Sequence, residues 1–245
     1  MRKVDGKTKN FSGNLPFTQA DLAGYFQNGM ECIGHGSRRK CFRVPGQPFC
    51  VKFYRLPSEY TCKTRSGVRA EIKLLRFSKR WNTSCQEWAY HKKLQKRLPK
   101  ELFAVFPEVV ERVFLPDRGW GISENLLVNP DGSPMQRVIA EMERTDDPDL
   151  RLDLFDSLAS LCDSLVHYTV RFYDPPNVMV QWRTDGSYRL RIVDFEPMGH
   201  TFIPFVTSMP AFIRAKVRRR TDRYLQRLIR RFRLARDVKR GKEKR

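Results

Sequence analysis

The 245-residue sequence predicts an α+β protein. Short apolar strands come in pairs around turn-forming residues, first between Glu31 and Tyr54 and again on either side of Thr184-Asp185-Gly186-Ser187. Two amphipathic helices, Ser84 to Leu98 and Asp149 to His167, stand apart from those pairs and show the 3.6-residue spacing of a buried stripe. The hydrophobic content of 40% and the length suffice for one large or two small domains with a real core.

In chain order, Met1 to about Thr18 reads as a flexible polar arm, and a short helix follows at Gln19 to Gln27. Leu56 to Trp81 carries Pro57, Gly67 and many basic residues and reads as an insertion, with helical spacing only from Val68 to Phe77. The helix Ser84 to Leu98 opens with Ser84 as N-cap and Glu87 three residues on, the capping-box spacing, and Pro99 stops it. Val109 to Phe114 and Gly119 to Val128 read as two strands joined by Leu115-Pro116-Asp117-Arg118-Gly119. Beyond the turn Asn129 to Pro134, the helix Asp149 to His167 carries Leu152, Phe155, Leu158, Cys162 and Leu165 on one stripe. His167 ends it in a structural role, and a basic helix begins near Arg214.

The chemistry concentrates between Ile33 and Lys52. Gly34-x-Gly36, a polar run and the apolar return Phe49-Cys50-Val51-Lys52 describe a hairpin whose turn can approach a polyphosphate. Backbone N–H groups come close to phosphate where no side chain intervenes and positive φ is tolerated. Lys52 then supplies a point charge, provided an acidic partner holds it. A Gly-x-Gly pair that merely closes a hairpin is the plainer alternative.

Gly34-x-Gly36-x-x-Arg39-Lys40-Cys41-Phe42-x-x-Pro45, with Cys50-Val51-Lys52 behind it, resembles the YrbL family, bacterial kinase-like proteins named for the PhoP regulatory network. Thr201-Phe202-Ile203-Pro204 and the basic helix with Arg214, Lys216 and Arg219 resemble that family's C-terminal end, so the similarity spans roughly Gly29 to Arg233. It implies a protein-kinase-like two-lobe fold, with a small β-rich N-lobe carrying one main helix and a larger helical C-lobe. On that plan residues 1–18 are the arm, 19–128 the nucleotide-binding N-lobe, 129–236 the C-lobe and 237–245 a basic tail.

The resemblance also implies a site for ATP and Mg²⁺. Gly34, Gly36 and Ser37 would cover the phosphates, and Lys52 would hold them. Glu87 would fix the lysine, unless it only caps its own helix, and Glu124 belongs to the segment between lobes where backbone groups hold adenine. Asn177 and Asp194 are the expected Mg²⁺ ligands, hard oxygen donors of the kind this ion takes. The kinase spacing counted back from Asn177 puts the catalytic base at Phe172, which accepts no proton, so Asp174 is the candidate base of a shortened loop. Asp194-Phe195 is followed by Glu196 in place of glycine. An ordinary turn at Asp174-Pro175-Pro176-Asn177 is the alternative.

The formal charge of +20 must face something anionic, and much of it lies between Arg214 and Arg245. An anionic acceptor or surface, a glycolipid or other phosphorylated molecule, suits it, whereas no motif for specific nucleic-acid recognition is present. No stretch approaches the ~20 apolar residues of a spanning helix, and the start is no signal peptide. The expected location is the cytoplasm, either free or peripheral at the inner membrane surface. Six scattered cysteines read as reduced thiols, with Cys41 and Cys50 near neighbours on facing strands. The function expected is ATP-dependent phosphotransfer to an unidentified acceptor; the alternative is a pseudokinase or regulatory binding module.

Overall fold

The computed structural model describes residues 15–36, 38–59, 75–108, 110–171, 177–193, 195 and 210–234. It is a mixed α+β chain that divides into two compact units, residues 1–127 and 128–245. Among the described residues there are six α-helices and eight strands.

The first unit is built on a five-stranded antiparallel sheet of β1 (Cys32–His35), β2 (Arg39–Arg43), β3 (Phe49–Tyr54), β4 (Val110–Leu115) and β5 (Gly119–Asn125). The order is β1-β2-β3-β5-β4, so β3 and β5 lie inside. β3 is apolar nearly throughout because both of its faces are covered. One face carries Phe42, Val51, Phe53 and Val113 under Leu22 of α1 (Gln19–Gln27) and Phe17. Phe26 of α1 meets Phe42 and Phe53 edge to face, with ring centroids 4.8 and 5.5 Å apart.

Helix α1 starts at Thr18, whose hydroxyl accepts from the Asp21 N–H at 3.2 Å while the Asp21 carboxylate accepts from the Thr18 N–H at 2.7 Å, a reciprocal capping box. The flexible arm expected up to Thr18 therefore ends earlier. Leu15 packs against the core and Phe17 is buried in it, because an apolar pair ahead of a capped helix staples the entering chain to the sheet. Residues 1–14 lie outside the described set.

The opposite face receives α2 (Thr83–Arg97), which buries Ser84, Glu87, His91 and Leu94 along one side. Its N-cap is Asn82, not Ser84. Asn82 Oδ1 accepts from the Cys85 N–H at 3.2 Å, and its amide nitrogen donates to the carbonyls of Leu75, Arg76 and Trp120 at 3.1–3.3 Å. One side chain thus caps the helix and ties it to the start of β5, which the Ser84 hydroxyl is too short to do. The short α3 (Lys100–Phe103) follows Pro99. Of the basic insertion, residues 60–74 lie outside the described set.

Gly119, at the turn from β4 to β5, has φ +80°, and a Cβ there would stand 2.3 Å from the Arg76 carbonyl oxygen. Gly119→Ala is expected to cost about 1–3 kcal/mol through the disfavoured φ and the clash combined. The check is a fall in urea midpoint at an unchanged slope.

The second unit holds a three-stranded antiparallel sheet, β6 (Gln136–Arg137), β7 (Val178–Trp182) and β8 (Tyr188–Ile192), in that order. The β7–β8 turn is closed by the Asp185 carboxylate, which accepts from the Ser187 N–H at 2.9 Å. Helices α4 (Val138–Arg144), α5 (Pro148–His167) and α6 (Pro210–Phe232) complete it. Asp147 caps α5 by accepting from the Asp149 and Leu150 N–H groups at 2.9 and 3.3 Å, with Pro148 at the first helical position. Val166 of α5 packs on Ile213 and Val217 of α6. His167 is exposed and stacks edge-on against Tyr168. No helix among the described residues is long and apolar enough to cross a membrane.

Candidate functional site

The face of the first sheet that meets α2 carries a buried cluster of four charges and two thiols. Strand alternation puts Arg39 and Cys41 of β2, Cys50 and Lys52 of β3 and Glu124 of β5 on that side. The register sets Cys41 opposite Lys52 and Cys50 opposite Glu124. From α2, Glu87 reaches down between them.

The ions pair closely. Lys52 Nζ lies 2.5 Å from Glu124 Oε1, and Arg39 Nη1 lies 2.5 Å from Glu87 Oε2. Arg39 Nη1 also donates to the Ser84 hydroxyl at 3.4 Å. Side-chain exposures of 11% and 4% for the first pair, and 7% and 0% for the second, put all four groups out of water. The second oxygens, Glu87 Oε1 and Glu124 Oε2, are buried and accept no hydrogen bond. Two carboxylates with an unmet acceptor each are an uncommon expense in a core.

The cluster distorts the acidity of its members. Burial pushes the Glu124 carboxyl up to about 7; the adjacent Lys52 charge pulls it down, and the nearby Glu87 charge pushes it up again. Burial therefore outweighs an ion pair at close contact. The Cys41 thiol is lowered, chiefly by its hydrogen bond with Cys50 and with help from the Lys52 charge, whereas that same bond and burial raise Cys50 well above the usual thiol range. Cys50 Sγ further donates to Glu124 Oε1 at 3.9 Å. The described cysteines, Cys32, Cys41, Cys50, Cys85 and Cys162, form no disulfide with one another.

Two sequence expectations are corrected here. The carboxylate that pairs with Lys52 is Glu124, and Glu87 is held by Arg39. Neither does Glu87 cap its own helix, since Asn82 does so. The cause is register: Glu124 is one pleat along from Ile122, the residue opposite Lys52, whereas Arg39 lies nearer the start of α2. Glu124 is an interior residue of β5, opposite Cys50 on one side and Val110 on the other, and its side chain joins the cluster through Lys52.

Gly34 pairs opposite Cys41 just past a register shift in β1, His35 follows opposite Lys40, and the Gly36 N–H donates to the Arg39 carbonyl at 2.8 Å. Neither glycine takes a positive φ. A Cβ at Gly34 would meet nothing within 4 Å, and one at Gly36 only the Arg39 carbonyl at 3.8 Å. The fold itself does not demand glycine at either position. In the second unit Asn177 precedes β7, and its carbonyl accepts from the Val193 N–H at 3.4 Å. That contact sets the expected ligand Asn177 beside the end of the strand leading to Asp194. Ser37, Phe172, Asp174, Asp194 and Glu196 lie outside the described residues. Among the described residues no group of three or more His, Cys, Asp or Glu side chains could hold a metal ion; the expected Mg²⁺ pair contributes only Asn177 to that set.

Arg39 is the member that the sequence alone passed over. Its signal was there: in Arg39-x-Cys41 it shares the parity of a thiol facing Lys52, and an arginine pointing inward from a strand requires a carboxylate. No protein-family model matches the chain and no curated protein matches it.

Proposed function

We propose that the chain is a nucleotide-binding protein of protein-kinase-like, YrbL-like type, which holds ATP through Lys52 and the Gly34–Gly36 turn. The observation that carries the reading is a largely enclosed lysine on β3 paired with the carboxylate of Glu124, in a cluster where Arg39 holds Glu87 of α2, a helix between β3 and β4. A strand lysine held by an acidic partner can supply a point charge to the phosphates of a nucleotide. The two glycines add to it, because side chains that the fold would accommodate are missing where phosphates would sit. Bound Mg²⁺, held by Asn177 and Asp194, would neutralise phosphate charge; the chain's part is to position and to shield. The acceptor suited to a +20 chain is anionic, a glycolipid or other phosphorylated molecule, met in the cytoplasm or at the inner membrane surface.

One observation favours the second reading, a regulatory module that binds without transferring. Glu87 is engaged by Arg39 rather than by Lys52, and phosphotransfer requires that the lysine and the helix carboxylate be paired. Phe172 at the expected base position points the same way.

Calorimetry with Mg²⁺-ATP tests both. Wild type binds, Lys52→Ala weakens binding about ten- to a hundredfold, the worth of a charge-assisted hydrogen bond, and Gly36→Val weakens it at an unchanged melting temperature. No binding by wild type would sink the nucleotide reading. ATP turnover lost in Asp174→Ala marks a transferase, and binding without turnover marks the regulatory module.

A further inference from the structure

Helix α6 carries eight arginines and one lysine against a single acid, Asp222. Its apolar stripe, Ile213, Val217, Thr221, Tyr224, Leu225 and Leu228, is buried within the second unit, where Ile213 and Val217 meet Val166 of α5. Seven of the nine basic residues fall into two sets. Arg214 and Arg231 are structural: Arg214 Nε donates to the Thr169 hydroxyl at 2.8 Å, and Arg231 pairs with Glu143. Arg218, Arg219, Arg223, Arg227 and Arg230 are exposed and line one open groove with Ala215, Gln226 and the single acid Asp222, five positive charges against one negative.

Within the second set Arg219, Arg223 and Arg227 follow one another at four-residue intervals, with Arg230 continuing the row. At 1.5 Å per residue that is a charge about every 6 Å over about 16 Å of helix. Like charges at this spacing repel by a few tenths of a kcal/mol per pair, so the row works against the helix that bears it. An anion of matching periodicity removes that repulsion. Arginine, with its planar fork, fits phosphate oxygens in pairs where lysine offers only a point charge.

We propose that the solvent face of α6 binds the phosphodiester backbone of nucleic acid without regard to sequence. A bilayer is the other large array of phosphates, but a helix lying on a membrane inserts its apolar side. Here that side is spent on the core, and Phe212 at the N-terminal end, 38% exposed, is the one large apolar side chain of α6 left open. A straight row on a rod suits the linear sequence of phosphates along a strand. Backbone contacts of this kind position a protein on nucleic acid and carry no base information. The surface is independent of the Lys52 cluster, which belongs to the other unit.

The test is a salt titration of the full chain with a fluorescein-labelled oligothymidylate, followed by anisotropy. Each phosphate contact contributes about 0.7 to the slope of log K against log salt for a single strand, so Arg219→Gln/Arg223→Gln/Arg227→Gln lowers the slope by about 2. Lysine at the same three positions keeps the slope, and a mixed-sequence oligonucleotide of equal length binds as the thymidylate does. The equally sized tail change Lys239→Gln/Arg240→Gln/Lys242→Gln leaves the helix contribution in place. An unchanged slope in the glutamine variant, a preference for one sequence, or no binding by wild type overturns the proposal. So does tighter binding to phosphatidylglycerol vesicles that the same three glutamines abolish, which would assign the face to lipid.

Discussion

Glu87→Ala is expected to destabilise the chain by about 3–5 kcal/mol, the range for removing one partner of a buried ion pair. Glu87 is fully buried and Arg39 is 7% exposed, so water cannot take over the lost interaction. The Ser84 hydroxyl, 3.4 Å from Arg39 Nη1, is a neutral and distant substitute. The cost arises from the guanidinium left behind, and this makes the effect specific. Arg39→Met combined with Glu87→Leu takes out both charges and fills similar volume, and such exchanges are commonly neutral or stabilising. The double variant is expected within about 1 kcal/mol of wild type, a coupling of several kcal/mol in the cycle. Urea unfolding of the four proteins at constant slope measures it. A Glu87→Ala cost below about 1 kcal/mol, or a double variant as weak as the single, would show that the pair does not hold α2 on the sheet.

What the sequence disclosed follows from how local each signal is. The hairpins were legible because turn residues and strand alternation are written within ten residues: Phe49–Tyr54 and Tyr188–Ile192 stand where the apolar runs put them. Helix Gln19–Gln27 and the stripe of Pro148–His167 were legible for the same reason. Helix α4 and strand β6 were not, since seven and two residues are too few to establish a period. The start of α2 was placed at Ser84, whereas the three carbonyls around Asn82, brought there by the fold, make Asn82 the cap. Lys52 stood out at the end of an apolar run, but its partner did not. Glu124 is 72 residues away, and its selection over Glu87 depends on the register of β3 against β5, a tertiary fact.

The second large effect is one of pH. Lowering the pH from about 7 to about 4.5 is expected to stabilise wild type by about 3 kcal/mol relative to Glu124→Gln. Glu124 is raised from 4.5 to about 7 in the folded chain, so between those values the folded state holds more of its proton than the unfolded state does. Its contribution is complete below about 4.5 and is lost as the pH climbs through about 7, opposite to the groups lowered by their partners, such as Asp21 and Glu59. The glutamine variant keeps the shape and an acceptor for Lys52 while removing the proton, so the difference between the two profiles isolates this one carboxyl. Parallel profiles would mean that Glu124 titrates alike in both states. A difference of reversed sign would mean that the 2.5 Å contact with Lys52 defeats burial and holds the carboxyl ionised. The expected direction bears on the nucleotide reading as well. A carboxyl that burial makes readier to take up its proton cancels the Lys52 charge less fully within the cluster, and the remainder is available to a phosphate.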